Sequence, residues 1–311
     1  MLQLRIKQAI WEAPNVLTYE FRSTTGEELP PFAAGAHIEI TLQKDMVRSY
    51  SILNPQSERH RYVIAVQKER QGRGGSKWAH QNLRPGDIVN VNGPRNNFAL
   101  NEAAEKSVFI AGGIGITPML SMTERLSQLG RDWQLFYCAR TRTTAPFVSV
   151  FDNDARVRMN FAREPGGSRF DIAAAVRAAP ENAHIYCCGP VEMLDAFEEA
   201  TREFSRERVH VEYFTAKEPP AEEGGFSIVL AKSGREIEIP QGKTILRALT
   251  DAGVDIRHSC SEGVCGTCET TVLEGIPDHR DRILTEGQRA SNKTMMVCCS
   301  GSKSEKLVLD L

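Results

Sequence analysis

The chain has 311 residues, which at roughly 100–200 residues per domain implies two or three domains. Apolar residues make up 41% and charged residues 25%, and 38 Lys and Arg against 40 Asp and Glu leave a formal charge of −2. That balance excludes a wholly basic nucleic-acid-binding surface. No run approaches the length of a membrane span, and Arg5, Lys7 and Glu12 interrupt the segment where a signal peptide would be apolar. The expectation is a soluble cytoplasmic protein with no membrane and no nucleic-acid partner.

Three textures follow one another along the chain. From Gln3 to Leu100, short alternating runs such as His37–Leu42, Arg61–Val66 and Asp87–Val91 are separated by Gly, Pro and Asn. This pattern predicts an antiparallel barrel or sandwich. Within it, Arg48-Ser49-Tyr50-Ser51 lies on a strand, where the arginine suits a phosphate clamp. Ala65-Val66-Gln67-Lys68 ends another strand. Gly72-Arg73-Gly74-Gly75-Ser76 precedes a helical stretch, Lys77–Leu83, and a glycine turn before a helix suits an anion. Taken singly, these segments read equally well as a surface strand and a plain loop.

Near Glu105 the texture changes to apolar runs alternating with helical patterns, which predicts βαβ units and a parallel sheet. Ser107–Ala111 leads into Gly112-Gly113-Ile114-Gly115-Ile116-Thr117-Pro118 and then a helix to Leu129. Glycines there let the backbone approach a pyrophosphate at a helix N-terminus, and proline suits the first turn. Trp133–Cys138 and His184–Cys188 are further strands. Cys188-Gly189-Pro190 closes the second, with a helix over Val191–Phe204 behind it. Glu212-Tyr213-Phe214 ends the segment. Lys217–Gly225, rich in Pro, Glu and Gly, reads as a linker. About 86 residues with their own small core pattern follow.

The eight cysteines concentrate toward the C-terminus, and none lies in the first 137 residues. Clustering of this kind points to metal or redox chemistry rather than a disulfide framework. Cys260-x4-Cys265-x2-Cys268, followed after 29 residues by Cys298, has the plant-type [2Fe–2S] spacing. Three thiolates on one loop wrap a small cluster and a distant fourth closes it. Gly263 and Gly266 let the loop backbone bend close to the sulfides. A structural zinc site or free core thiols are the alternatives, but zinc favours two paired knuckles and only one is present. Cys299 leaves the fourth ligand ambiguous, since on a strand neighbours face opposite sides. His258 does not have Rieske spacing and reads as a neighbour.

The glycine turn with Thr117-Pro118 and Cys188-Gly189-Pro190 resembles the nucleotide-binding half of the ferredoxin–NADP reductase superfamily. Arg48–Ser51 resembles its flavin motif. The order of barrel, nucleotide domain and C-terminal ferredoxin resembles the phthalate dioxygenase reductase family over the whole chain. The resemblance implies an FMN-binding β-barrel domain at 1–102, an NAD(P)H-binding α/β domain at 103–216, a linker at 217–225 and a β-grasp [2Fe–2S] ferredoxin domain at 226–311. It implies that Arg48, Ser49, Tyr50 and Ser51, the backbone at Val66 and Lys68, and Gly74, Gly75 and Ser76 hold the flavin, with Ser51 near N5. Gly112, Gly113, Gly115, Thr117 and Pro118 hold the nucleotide, Cys188, Gly189 and Pro190 border the nicotinamide, and Phe214 covers the flavin face. Cys260, Cys265, Cys268 and Cys298 ligate iron, with the first of the adjacent pair favoured as fourth ligand.

The implied activity passes a hydride from NADH to FMN and single electrons through the cluster to a Rieske-type oxygenase or O-demethylase. No general acid or base is nominated. NADPH is the secondary choice: Ala139-Arg140-Thr141-Arg142-Thr143-Thr144 carries no acid for the ribose hydroxyls, and Arg140 or Arg142 suits a 2′-phosphate. A stand-alone diaphorase or ferric reductase and an iron–sulfur redox sensor are the rival readings. The family also shares Asp278-His279-Arg280-Asp281 and Leu307–Leu311, read here as a solvated turn and a terminal strand. Residues 221–311 carry 11 basic against 14 acidic side chains and the rest 27 against 26, which makes the C-terminal module the acidic part.

Overall fold

The computed structural model describes residues 1–43, 46–70, 74–216 and 218–311, so Gly72 and Arg73 lie outside the described residues. The chain forms two compact units, Met1–Glu212 and Tyr213–Leu311.

The first unit holds two sheets. Strands β1 (Leu2–Ala13), β2 (Val16–Ser23), β3 (His37–Gln43), β4 (Met46–Ser51), β5 (Tyr62–Gln67) and β6 (Ile88–Arg95) form an antiparallel sheet in the order β4-β3-β6-β1-β2-β5. Helix α1 (Gly75–Asn82) sits between β5 and β6 in the chain. The sheet curls into a barrel, with Leu53 N–H just past β4 reaching Val63 O on β5 at 2.9 Å. Alternation sends Leu4, Ile6, Ile38, Ile40 and Ile64 into one core. Burial of each contributes about 1.5–3 kcal/mol.

The second sheet is parallel. It contains β7 (Lys106–Gly112), β8 (Asp132–Ala139), β9 (Val157–Phe161), β10 (His184–Cys188) and β11 (Val209–Glu212), ordered β11-β10-β7-β8-β9. Helices α2 (Thr117–Gln128), α3 (Ile172–Arg177) and α4 (Val191–Ala200) connect them. Val108, Phe109, Ile110 and Ala111 of β7 are all buried, as a central strand covered on both faces requires. The strand order reverses beside β7, and the carboxyl ends of β7 and β10 therefore flank a crevice suited to a ligand. Helix α4 stops at Ala200, short of the expected Phe204; the Thr201 hydroxyl donates to Phe197 O (2.8 Å) at its end.

The second unit contains β12 (Phe226–Leu230), β13 (Arg235–Ile239), α5 (Ile245–Asp251), β14 (Glu269–Glu274), β15 (Pro277–Asp278), α6 (Glu286–Ser291), β16 (Thr294–Met296), β17 (Gly301–Ser302) and β18 (Lys306–Leu309). Its main sheet runs β13-β12-β18-β14-β16. Ile228, Leu230, Ile245, Leu249, Leu307 and Leu309 form its core. Residues 219–225 are bonded to this unit: Ala221 N–H reaches Cys299 O (2.8 Å) and Gly225 N–H reaches Ile239 O (2.9 Å). Among the described residues no helix is long and apolar enough to cross a membrane.

Candidate functional site

Strand β4 directs Arg48 and Tyr50 to the face of their partners Ile40 and Ile38. Tyr50 packs on the barrel core, and its burial pushes the phenol pKa up. Arg48 crosses the start of α1. A Cβ on Gly75 would stand 2.5 Å from Arg48 Nε, so only glycine lets the side chain lie there. Gly74, at φ +85°, makes the left-handed entry to the helix. A guanidinium beside the free N–H groups of a helix N-terminus fits a phosphate.

The neighbouring residues Val66, Lys68 and Ser76 also carry bonds within the protein. Ser76 Oγ accepts from Glu69 N–H (2.9 Å), His80 Nε2 donates to Val66 O (2.8 Å), and Lys68 N–H donates to Asn15 O (2.7 Å). These groups brace the cradle from within. Ser49 is exposed.

The glycine turn after β7 interlocks with the end of β10. A Cβ on Gly115 would stand 2.2 Å from Cys188 O, one on Gly112 would stand 2.6 Å from Pro190 Cδ, and one on Gly189 would stand 2.8 Å from Met193 Sδ. Gly113 has φ +53° with open space beside it. Thr117 Oγ1 donates to Ile114 O (2.9 Å) and so closes the turn, while Pro118 lies in the first turn of α2. The two motifs thus form one surface at the crevice.

Three side chains meet beside that surface. Cys188 and Glu212 are register partners on β10 and β11. Ser51, 5% exposed, comes to Glu212 from the barrel. Burial pushes the Glu212 carboxyl up to about 8, with the Ser51 hydroxyl acting in the opposite direction. Burial also pushes the Cys188 thiol up, and the Glu212 charge adds to this. Near neutral pH the site therefore holds a protonated carboxyl and a thiol rather than two anions. Glu212 Oε2 is buried without a hydrogen-bond partner among the described residues. Buried orphans of this kind are costly unless a ligand satisfies them, which fits a polar flavin and nicotinamide at this place. Sequence reasoning missed Glu212 as a site residue; an acid closing a parallel strand beside Cys188 was the available signal. Phe214 lies beyond β11, in the second unit.

In that unit the thiols of Cys260, Cys265, Cys268 and Cys298 converge. Cys260 is in side-chain contact with Cys265 and Cys298, and Cys298 with Cys268. These contacts lower the Cys260 and Cys268 pKa values and raise those of Cys265 and Cys298. Glu262 N–H and Val264 N–H point at Cys260 Sγ (3.3 and 3.5 Å), an arrangement that stabilises charge on sulfur. Four sulfurs brought together from one loop and one turn fit a dinuclear cluster. His258 Nδ1 bonds Ile256 O (2.8 Å) and acts as a neighbour.

The adjacent cysteines do not alternate as they would on a strand. They sit in a turn after β16, with Cys299 N–H and Ser300 N–H both on Met296 O (3.2 and 3.0 Å). Cys298 joins the other three thiols, while Cys299 Sγ fills the space beside Gly263, 2.4 Å from where its Cβ would stand.

Asp278–Asp281 is not the solvated turn expected. Asp281 is 3% exposed, and its Oδ2 accepts from Ile283 and Leu284 N–H (3.0 and 2.8 Å). Arg282 N–H donates to Gly263 O (2.9 Å), and its guanidinium lies 4.9 Å from the Tyr213 ring centroid. The segment braces the cysteine loop from behind.

Two family models match the chain. Residues 3–100 match an oxidoreductase FAD-binding domain and residues 228–302 a 2Fe-2S iron-sulfur cluster binding domain. The chain is 52% identical over 311 residues to the phenoxybenzoate dioxygenase subunit beta of Ectopseudomonas oleovorans, covering 100% of this chain and 97% of that one. It is 44% identical to the tetrachlorobenzoquinone reductase of Sphingobium chlorophenolicum, with 100% and 98% covered. The solved phthalate dioxygenase reductase superposes with a TM-score of 0.81 at 36% identity, covering 100% and 98%. An intact type IV self-sufficient cytochrome P450 monooxygenase gives a TM-score of 0.82 at 36% identity; this chain covers 41% of that one. The extent of these likenesses, across barrel, parallel sheet and cysteine module alike, shows that the chain belongs to the phthalate dioxygenase reductase family of flavin and [2Fe–2S] oxidoreductases.

Proposed function

We propose that the protein is the NADH-dependent reductase component of a Rieske-type oxygenase, with FMN as its flavin. One observation carries the reading: a single chain combines the Ser51–Cys188–Glu212 crevice with four thiols brought together in its second unit. In this division, residues 1–102 hold the flavin, 103–216 the nucleotide, 217–225 connect, and 226–311 deliver electrons. The coarser statement, a reductase serving an oxygenase, agrees with the dioxygenase relative. A set of reduced thiols suits the cytoplasm.

A bound flavin supplies the exchange of one hydride for two single electrons. The chain's residues supply the rest. Arg48 with Gly74 and Gly75 anchors a phosphate. The Gly112–Pro118 turn seats a pyrophosphate against the N-terminus of α2. Glu212, protonated near neutral pH, offers a hydrogen-bond donor to the ring system without placing an anion beside it. The uncharged Cys188 thiol, at the end of β10 beside the glycine turn, would border a bound nicotinamide.

The test is an anaerobic titration of purified protein with NADH, followed by visible absorbance and electron paramagnetic resonance. Both flavin and cluster are expected to be reduced. Flavin bleaching with no cluster signal would overturn the electron route.

A second reading is favoured by the quinone reductase relative, to which this chain is similar over 100% of its own length and 98% of that one. A ferredoxin module is therefore no argument against a small quinone acceptor. Comparing Cys265→Ser with the parent separates the two: oxygenase turnover is lost with the cluster, whereas direct quinone or dye reduction by the flavin persists.

A further inference from the structure

Strand β11 forms one edge of the parallel sheet, with β10 beside it, and it carries Glu212 at its end. An edge of only four residues opens readily unless side chains fasten it. A chain of side chains does so two residues before Glu212, on the same face of the strand. His184 Nδ1 and His210 Nε2 are 2.9 Å apart, and His184 Nε2 is 3.1 Å from Asn101 Nδ2. The His210 ring stacks on Tyr186, its register partner, with centroids 4.2 Å apart. Tyr186 OH in turn accepts from Asn101 N–H (2.8 Å). The segment joining the barrel to the sheet is thus tied to β10 and β11 at one place.

The protons of this chain are set by its first member. Asn101 Oδ1 accepts from Ala103 N–H (3.0 Å), which turns the amide so that its NH2 faces His184. An amide NH2 only donates, so His184 Nε2 accepts and the proton of neutral His184 lies on Nδ1. That Nδ1–H donates to His210 Nε2, which leaves the His210 proton on its own Nδ1. A second proton on either ring sets two donors face to face: His184 Nε2–H against the Asn101 NH2, or His210 Nε2–H against His184 Nδ1–H. The surroundings oppose it as well. Burial lowers both pKa values, that of His210 to about 4 with His184 adding to the effect. Arg208 lowers His184 further, while Glu207 acts in the opposite direction. The Arg208 guanidinium is itself held on Ala183 O (3.0 Å), and Glu102 of the joining segment is taken by Arg125 (2.7 Å).

We propose that His184 and His210 are positioning residues for Glu212: their neutral pair clasps the edge strand that bears it, and acid opens the clasp. A loosened strand takes up protons at the ordinary histidine value of 6.5, whereas the clasped strand resists them. Closure is therefore complete above 6.5 and weakens as pH falls toward 4. The part played by Glu212 rests on the flavin reading above; the clasp rests on its own hydrogen bonds.

The test uses the full chain with its flavin and cluster. Nitrogen-15 NMR of labelled imidazoles near neutral pH is expected to show His184 and His210 both as Nδ1–H tautomers. Hydrogen exchange over residues 209–212, corrected for intrinsic rates, is expected to lose about tenfold or more in protection between about pH 7 and 5. His210→Phe keeps a ring on Tyr186 and removes the titration, and is expected to abolish most of that fall. Asn101→Asp keeps the bond from Ala103 N–H but sets an acceptor against His184 Nε2. It is expected to move the His184 titration above the ordinary value instead of below it. In the parent, the rate of flavin reduction by NADH is expected to decline on the acid side in step with the protection of β11.

An Nε2–H tautomer on either ring would overturn the clasp, as would protection of β11 that does not change with pH or an Asn101→Asp variant in which His184 titrates as in the parent. Loss of protection with no acid-side decline in flavin reduction would overturn the positioning role. Failure of NADH to reduce the flavin at any pH would instead overturn the reading of Glu212, and the positioning role with it, whatever the tautomers show.

Discussion

Glu212 offers a quantitative test of the crevice. Its carboxyl is pushed from 4.5 to about 8 by burial. Below about pH 4.5 the folded and unfolded chains both hold this proton. As pH rises further the unfolded chain releases it and the folded chain keeps it, so the contribution to stability falls with rising pH. The loss levels off once the folded group ionises near 8. The interval from 4.5 to about 8, at ~1.4 kcal/mol per pH unit, sets a ceiling of roughly 5 kcal/mol.

Glu212→Gln removes the titration while keeping the side chain's size and a donor. Urea unfolding of the flavin-loaded protein, followed by flavin fluorescence and circular dichroism between about pH 5 and 9, reads the slope. The parent is expected to lose stability across this range relative to the variant, by about 2 kcal/mol or more. The rate of flavin reduction by NADH is expected to break near pH 8 in the parent and to lack that break in the variant. Parallel stability curves would refute the assignment of a buried, proton-holding carboxyl.

Three further outcomes follow from the second unit. Gly263→Ala would place Cβ 2.4 Å from Cys299 Sγ at φ +70° and is expected to abolish cluster absorbance. Gly266→Ala meets only Ile283 Cγ2 at 3.6 Å and is expected to keep the cluster at a cost of about 1–2 kcal/mol; equal loss in both would refute the steric argument. Cys298→Ser is expected to remove the cluster signal in electron paramagnetic resonance and Cys299→Ser to retain it; the reverse pattern would exchange their roles. The acidic balance of residues 221–311, 11 basic against 14 acidic side chains, predicts that electron delivery to the oxygenase slows as salt rises. A rate independent of salt in stopped-flow would exclude steering by this module.

Much of the fold was legible because its signals are local. Alternation along β3 and β5, the unbroken apolar run of β7 and the spacing of Cys260, Cys265 and Cys268 each reflect one element or loop. What escaped depends on register and packing. Glu212 becomes a site residue because parallel pairing sets it beside Cys188 and the barrel brings Ser51 to it. Asp281 looked solvated because it stands among charged residues, yet its carboxylate accepts two backbone N–H groups inside the module. The strand rule failed at Cys298 and Cys299 because a turn replaces the strand there.

The position of β18 bears on how this molecule is made. Lys306–Leu309 follows every other strand of its sheet in sequence, yet lies at the centre of the sheet, parallel to β12 and antiparallel to β14. During synthesis β12 and β14 emerge from the ribosome with the gap between them unfilled. The cysteine loop between α5 and β14 is translated well before the sheet that supports it can close. Iron and sulfide are therefore best acquired after translation has passed Leu309. Premature termination upstream of β18 would leave a polypeptide with the complete crevice and no closed ferredoxin sheet, able to accept reducing equivalents but with no folded outlet for them.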